Sequence, residues 1–92
     1  MPSTGRGPVI TNYTLTAANT WYKVISAVAG TRKFKIKARE STDNTFDYDF
    51  TSTHSSHMTN NGSGASFDGC DLPDVYCRSA TAGTVVEIEY WG

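Results

Sequence analysis

The stretch Arg32-Lys33-Phe34-Lys35-Ile36-Lys37-Ala38-Arg39, followed after a polar interval by Phe46-Asp47-Tyr48-Asp49-Phe50, alternates apolar and charged side chains residue by residue. Successive side chains of an extended chain point to opposite faces, so a period of two is the mark of half-buried strands. Phe34, Ile36 and Ala38 form one apolar face and Phe46, Tyr48 and Phe50 another. The interval Glu40-Ser41-Thr42-Asp43-Asn44 has turn chemistry. The pattern predicts a hairpin about residues 41–43, with Lys37 near Asp47 and Lys35 near Asp49 as facing ion pairs worth roughly 0.2–1 kcal/mol each. The basic stripe of Lys33, Lys35, Lys37 and Arg39 is then largely neutralised.

Working toward the N-terminus, residues 20–28 place Tyr22, Val24, Ser26 and Val28 on one face and Trp21, Lys23, Ile25 and Ala27 on the other. Both faces are partly apolar, and Ala29-Gly30-Thr31 ends the strand. Val9 to Ala17 alternates in the same way, with Val9, Thr11, Tyr13 and Leu15 on one side. Residues 1–8 show no periodicity and are rich in Gly and Pro, so they are read as a flexible N-terminal arm ahead of a single domain spanning 9–92.

Toward the C-terminus, residues 52–73 are dominated by Ser, Thr, Asn, Gly and His, with Met58, Ala65, Phe67, Cys70 and Leu72 as apolar anchors. A structureless loop of that length is unusual. The segment either hides short strands near residues 57–60 and 65–67 or is an outward-facing contact loop. Residues 75–80 and 84–91 read as two further strands around Thr81-Ala82-Gly83, with Val86, Ile88 and Tyr90 facing the core and Glu87, Glu89 and Trp91 facing out. Six to eight antiparallel strands without helical periodicity predict an all-β, compact β-sandwich or jelly roll.

Size and composition agree. The chain has 92 residues, only two leucines, and abundant Thr, Ser, Val, Ile and aromatics, which favour pleated strands over helices. One domain of this size buries about 60–65% of the surface of its extended chain. Hydrophobic residues make up 38% and charged residues 18%, with a net charge of −1. That balance argues against both disorder and nucleic-acid binding, despite the basic run at residues 32–39. No apolar run is long enough to span a membrane, and the N-terminal stretch lacks the apolar centre of a signal peptide. No membrane or nucleic-acid partner is expected.

The candidate chemistry is sparse. In an extended strand His54 and His57 would point to opposite faces, and no second ligand pair lies at finger spacing, so two solvated loop histidines and no metal are expected, with an ion at the symmetry axis of an oligomer, one ligand from each subunit, as the alternative. Cys70 and Cys77 flank a loop containing Pro73; the bridged form, a possible disulfide, and the reduced form stay equally open. Ser, His and Asp occur between residues 52 and 74 without a nucleophile elbow, and Asp47 and Asp49 suit an ion-pair ladder better than acid–base work. No enzymatic activity and no cofactor are expected. A carbohydrate-binding surface would draw on flat aromatics such as Trp21, Trp91 and Tyr76. The same role would enlist an adhesion loop holding His54, His57, Asn60, Asn61, Phe67 and Tyr76.

The closing stretch Tyr76-Cys77-Arg78-Ser79-Ala80-Thr81-Ala82-Gly83-Thr84-Val85-Val86-Glu87-Ile88-Glu89-Tyr90-Trp91 carries a resemblance of pattern shared by Tyr13 to Val24 and by Lys37-Ala38-Arg39-Glu40. In these segments the chain resembles small virion structural proteins of tailed bacteriophages, namely head decoration, neck or tail components. The resemblance implies a compact β-sandwich, a virion location after assembly in the host cytoplasm, and a homotrimer. As partners it implies copies of the chain itself and the major capsid protein or other virion proteins; as function it implies capsid decoration, with a glycan-binding adhesion module as the alternative. The residues assigned to an oligomer or capsid interface are Pro2, Arg6, Val9, Ile10, Trp21, Ile25 and Trp91, on the arm or on faces turned from the core.

Overall fold

A computed structural model of the chain describes residues 8–39, 45–54 and 56–92. Among the described residues there are eight strands: β1 (Val9–Leu15), β2 (Tyr22–Ile25), β3 (Lys33–Ala38), β4 (Phe46–Asp49), β5 (Met58–Asn60), β6 (Ala65–Asp68), β7 (Val75–Arg78) and β8 (Thr84–Trp91). They form two four-stranded antiparallel sheets, β1-β8-β3-β6 and β2-β7-β4-β5. Only β4 and β5 are both consecutive and paired; every other connection passes from one sheet to the other. Eight strands in this order make a double-sheet jelly roll.

The core lies between the sheets. Leu15, Phe34, Ile36, Ala38, Val86 and Ile88 come from the β1-β8-β3-β6 sheet, and Val24, Phe46, Tyr48, Val75 and Cys77 from the other, with Leu72 closing one side. Alternation is strict along β3 and along β8 as far as Ile88: inward residues are buried and the intervening side chains are half-exposed, as is Tyr90 beyond them. Phe67 packs on Phe34 with ring centroids 4.8 Å apart and on Phe50 at 5.5 Å, so one end of the core is aromatic.

Several expectations change. The hairpin of β3 with β4 does not form, because the two strands belong to different sheets. The lysines of β3 instead meet acids of neighbouring strands in their own sheet. Lys35 Nζ lies 3.9 Å from Glu89, Lys37 Nζ 3.7 Å from Glu87, and Lys33 Nζ 3.6 Å from Asp68. The same holds for the last two strands, which turn at Thr81-Ala82-Gly83 but lie in opposite sheets. The second strand is shorter than its pattern, and its register slips between Lys23 and Ile25. The slip sets Ile25 opposite buried Val75, so Ile25 packs against the core rather than on the outer face.

The polar 52–73 segment contains two short strands, close to where its apolar residues suggested. Met58 is nevertheless no anchor, being 60% exposed. The turn between β5 and β6 is built on Asn60, whose Oδ1 accepts from the N–H groups of Gly62 (2.8 Å) and Gly64 (3.0 Å). Gly64 has φ +108°, and a Cβ there would sit 2.9 Å from the Lys37 Cβ. The backbone therefore crosses β3 at a distance that only glycine permits.

Candidate assembly surface

Each sheet of a jelly roll ends in two edges whose unpaired N–H and C=O groups can template pairing with another chain. Three of the four edges here are protected. β5 is three residues long, β6 is four residues long and ends in the charged Asp68, and β2 is four residues long, irregular in register and carries Lys23. β1 has none of these protections. It runs seven residues, pairs in unbroken register with β8 on one side, and has no neighbouring strand on the other among the described residues. From Gly7 to Tyr22 the sequence holds no Asp, Glu, Lys or Arg. Ile10 is 58% exposed on the outer face, while Tyr13 is exposed at the strand's inner side.

The outer face beside this edge is electrically quiet. Ile10 stands opposite Glu89 and Asn12 opposite Glu87, and the Lys35 and Lys37 side chains hold those two glutamates. Trp91 extends the face, with Lys33 Nζ 5.1 Å from its ring centroid. Val9 is half-buried on the inner side of β1, opposite Tyr90. Of the remaining interface candidates, Pro2 and Arg6 lie outside the described residues.

The outer face of the second sheet carries a denser cluster. The Trp21 indole stacks on His54 (4.4 Å, planes within 3°), meets His57 edge-on at 5.5 Å, and has the Arg78 guanidinium 4.8 Å from its ring centroid. Arg78 Nε donates to Asp47 Oδ2 at 2.8 Å, and Thr59 Oγ1 donates to Asp47 Oδ1 at 2.7 Å. Burial works to raise the Asp47 carboxyl, but these hydrogen bonds and the charges of Arg78 and His57 outweigh it and hold the group below the ordinary carboxylate value. Next along β4, Asp49 accepts from the N–H groups of Phe50 (2.6 Å), Thr51 (3.0 Å) and Ser56 (3.3 Å) and from the Thr51 hydroxyl (3.2 Å). Burial again pushes upward, yet these donors keep Asp49 below its usual range. This carboxylate ties Phe50, Thr51 and Ser56 to the end of β4.

These contacts correct several site assignments. His54 is not a solvated loop histidine; its ring is wedged between Trp21 and Tyr76, the latter edge-on at 5.1 Å. Its Nδ1 is buried without a hydrogen-bond partner among the described residues. Trp21 is no free platform for a sugar, because histidines and a guanidinium already pack on its ring. Phe67 belongs to the aromatic core rather than to an adhesion loop. Asn60 holds a turn, and Asn61 does likewise, accepting from Ser63 N–H at 3.1 Å and from its hydroxyl at 2.7 Å. Cys70 and Cys77 are not bridged: Cys70 is exposed at a shallow depression lined also by Arg32, Asp71 and Gly92, whereas Cys77 lies in the core. Among the described residues no group of three or more His, Cys, Asp or Glu converges as metal ligands.

Sequence reasoning missed the Asp47–Arg78 pair and the capping role of Asp49. Only the alternation of Arg78 with buried Val75 and Cys77 hinted that the arginine shares an outer face with something acidic.

No protein-family model matches the chain, and no curated protein does. Among solved structures it is similar to a chain of the work "Bacillus endospore appendages form a novel family of disulfide-linked pili". The similarity covers 94% of this chain and 82% of that one, at 16% identity and a TM-score of 0.56. At that identity the likeness is one of fold, the sandwich architecture, and of nothing more.

Proposed function

We propose that this protein is a non-enzymatic structural subunit that associates with copies of itself in an extracellular or virion-type assembly. The observation that carries this reading is the β1 edge, a long, regular, charge-free strand left open, among the described residues, in a fold that shields its other three edges. An edge of this kind in a freestanding protein is an aggregation hazard, and in an assembling subunit it is a docking element. The fold shared with an appendage protein points the same way.

At the finer level, the sequence resemblance in residues 13–24 and 76–91 favours a tailed-phage virion component, a decoration protein docked on the head lattice. A sugar-binding adhesion module draws less support, since the aromatic faces it would use are occupied by neighbouring side chains. The similar pili are disulfide-linked, and a link of that kind has one accessible thiol here, Cys70. A single thiol joins two subunits and no more, so continuous assembly would need non-covalent contacts as well.

Light scattering of the purified protein, with and without reductant, tests the reading. The expected result is a discrete mass above the 10.0 kDa of one chain that persists in reductant. A 10.0 kDa species at every concentration, with no binding to particles or to itself, would overturn it.

A further inference from the structure

We propose that two copies of this chain pair edge to edge through β1, antiparallel about a two-fold axis at Asn12, fusing two four-stranded sheets into one of eight strands. The proposal rests on the assembly reading and names its contact. Its first support is the direction of the backbone groups. On β8 the Val85 carbonyl accepts from Arg39 N–H at 2.8 Å and so turns toward β3. Backbone groups alternate sides along a strand, so Thr84, Val86, Ile88 and Tyr90 turn toward β1. There they meet Leu15, Tyr13, Thr11 and Val9. The N–H and C=O groups of Ile10, Asn12 and Thr14 therefore point to the open edge.

Those three residues sit symmetrically in the strand. An antiparallel copy centred on Asn12 sets Ile10 opposite Thr14 of the second copy, Asn12 opposite Asn12, and Thr14 opposite Ile10. Every outward N–H and C=O of the strand then finds a partner, and the inner row of Val9, Thr11, Tyr13 and Leu15 stays on the inner side of both halves. A shift by one residue would turn the row inside out, and a shift by two leaves edge groups unpaired at each end.

The second support is the count of open edges. With one unprotected edge per subunit among the described residues, pairing between copies uses the same surface twice, which closes as a dimer. The third is charge. The seam has no Asp, Glu, Lys or Arg, and the nearest glutamates, Glu87 and Glu89, are already held by Lys37 and Lys35. Nothing of like sign is brought face to face.

The test uses the full chain in two measurements, native mass by light scattering and amide hydrogen exchange followed residue by residue. Edge pairing gives twice the 10.0 kDa of one chain. It also gives exchange at Ile10, Asn12 and Thr14 slowed by about tenfold or more on going from dilute to concentrated protein. Asn12→Pro removes only an outward N–H and leaves the ladder to β8 intact, so it is expected to yield a folded monomer. Thr14→Lys, placing a charge at the seam, serves if the proline variant does not fold. A trimer, or a dimer whose Ile10, Asn12 and Thr14 amides exchange freely, overturns the edge pairing and leaves the assembly reading standing. A monomer at all concentrations removes both.

Discussion

The imidazole of His54 lies parallel to the indole of Trp21, 4.4 Å away, although His54 holds a left-handed backbone (φ 57°) that side chains other than glycine rarely adopt. The stack offsets that local cost and pins the 50–57 loop to the outer face of the sheet. His54→Asn keeps a residue that tolerates this backbone and removes the ring, so the lost aromatic contact is expected to cost about 0.5–1.5 kcal/mol in urea unfolding. Limited proteolysis within residues 51–57 should accelerate in the same variant. Equal stability and an equally resistant loop would show that the stack holds nothing.

Acid should loosen the same region. The carboxyls of Asp47 and Asp49 sit below the ordinary aspartate value of 3.8 in the folded protein, so the unfolded chain binds protons first as pH falls. Their contribution to stability is complete above that value and is lost as pH drops through the depressed folded values. Unfolding free energy measured from pH 6 to pH 2 is therefore expected to decline at the acid end, below about pH 4. Asp49→Asn should lower stability at neutral pH and flatten the acid decline; an unchanged slope would count against the capping role.

Gly64→Ala combines two penalties. Its φ of +108° lies in glycine territory, and the added methyl would stand 2.9 Å from the Lys37 Cβ and 3.1 Å from the Ile36 carbonyl. A loss of about 2 kcal/mol is expected, which for a domain of this size lowers Tm by on the order of 10 °C. Gly83→Ala, where nothing lies within 4 Å of the added carbon, serves as the comparison and should cost less, since only the backbone conformation is strained. Equal losses would mean that the close approach over β3 is not what constrains Gly64.

The two cysteines should separate cleanly by reactivity. Burial, with the nearby Asp47 charge adding to it, pushes the Cys77 thiol well above its usual value, while Cys70 is exposed. A thiol reagent at pH 8 is expected to modify one site per chain quickly and the second only at the rate of unfolding. Oxidation should give a dimer at most, and Cys70→Ser should abolish it. Covalent species larger than a dimer would require Cys77 to reach the surface.

The strands themselves are legible in the sequence because period-two alternation is local: the Lys33–Arg39 comb and the Phe46–Phe50 comb each declare a face without reference to partners. Even the short strands at Met58–Asn60 and Ala65–Asp68 fall where sparse apolar residues interrupt a polar segment. Partnership is not legible. Lysines two residues apart fit Asp47 and Asp49 as well as Glu87 and Glu89, and only the crossing of the chain between sheets selects the glutamates. Ile25 escapes the pattern because the register slips between Lys23 and Ile25, while Val28 keeps the core side the alternation gave it. His54 escapes it because its partners, Trp21 and Tyr76, are remote in sequence. The open β1 edge is partly visible in the charge-free run around Ile10, but an edge is a property of the whole sheet.

Because β1 pairs with β8 and with no other strand among the described residues, it has no partner until synthesis has passed Thr84–Trp91. A ribosome must therefore release the chain through β8 before the β1-β8-β3-β6 sheet can close, and with nearly all connections passing between sheets little of it can form from local segments. During that interval β1 presents two open sides instead of one. The same charge-free strand is then able to seek β8 of a sister chain, which makes the order of synthesis, as much as the finished surface, a determinant of how copies of this protein meet.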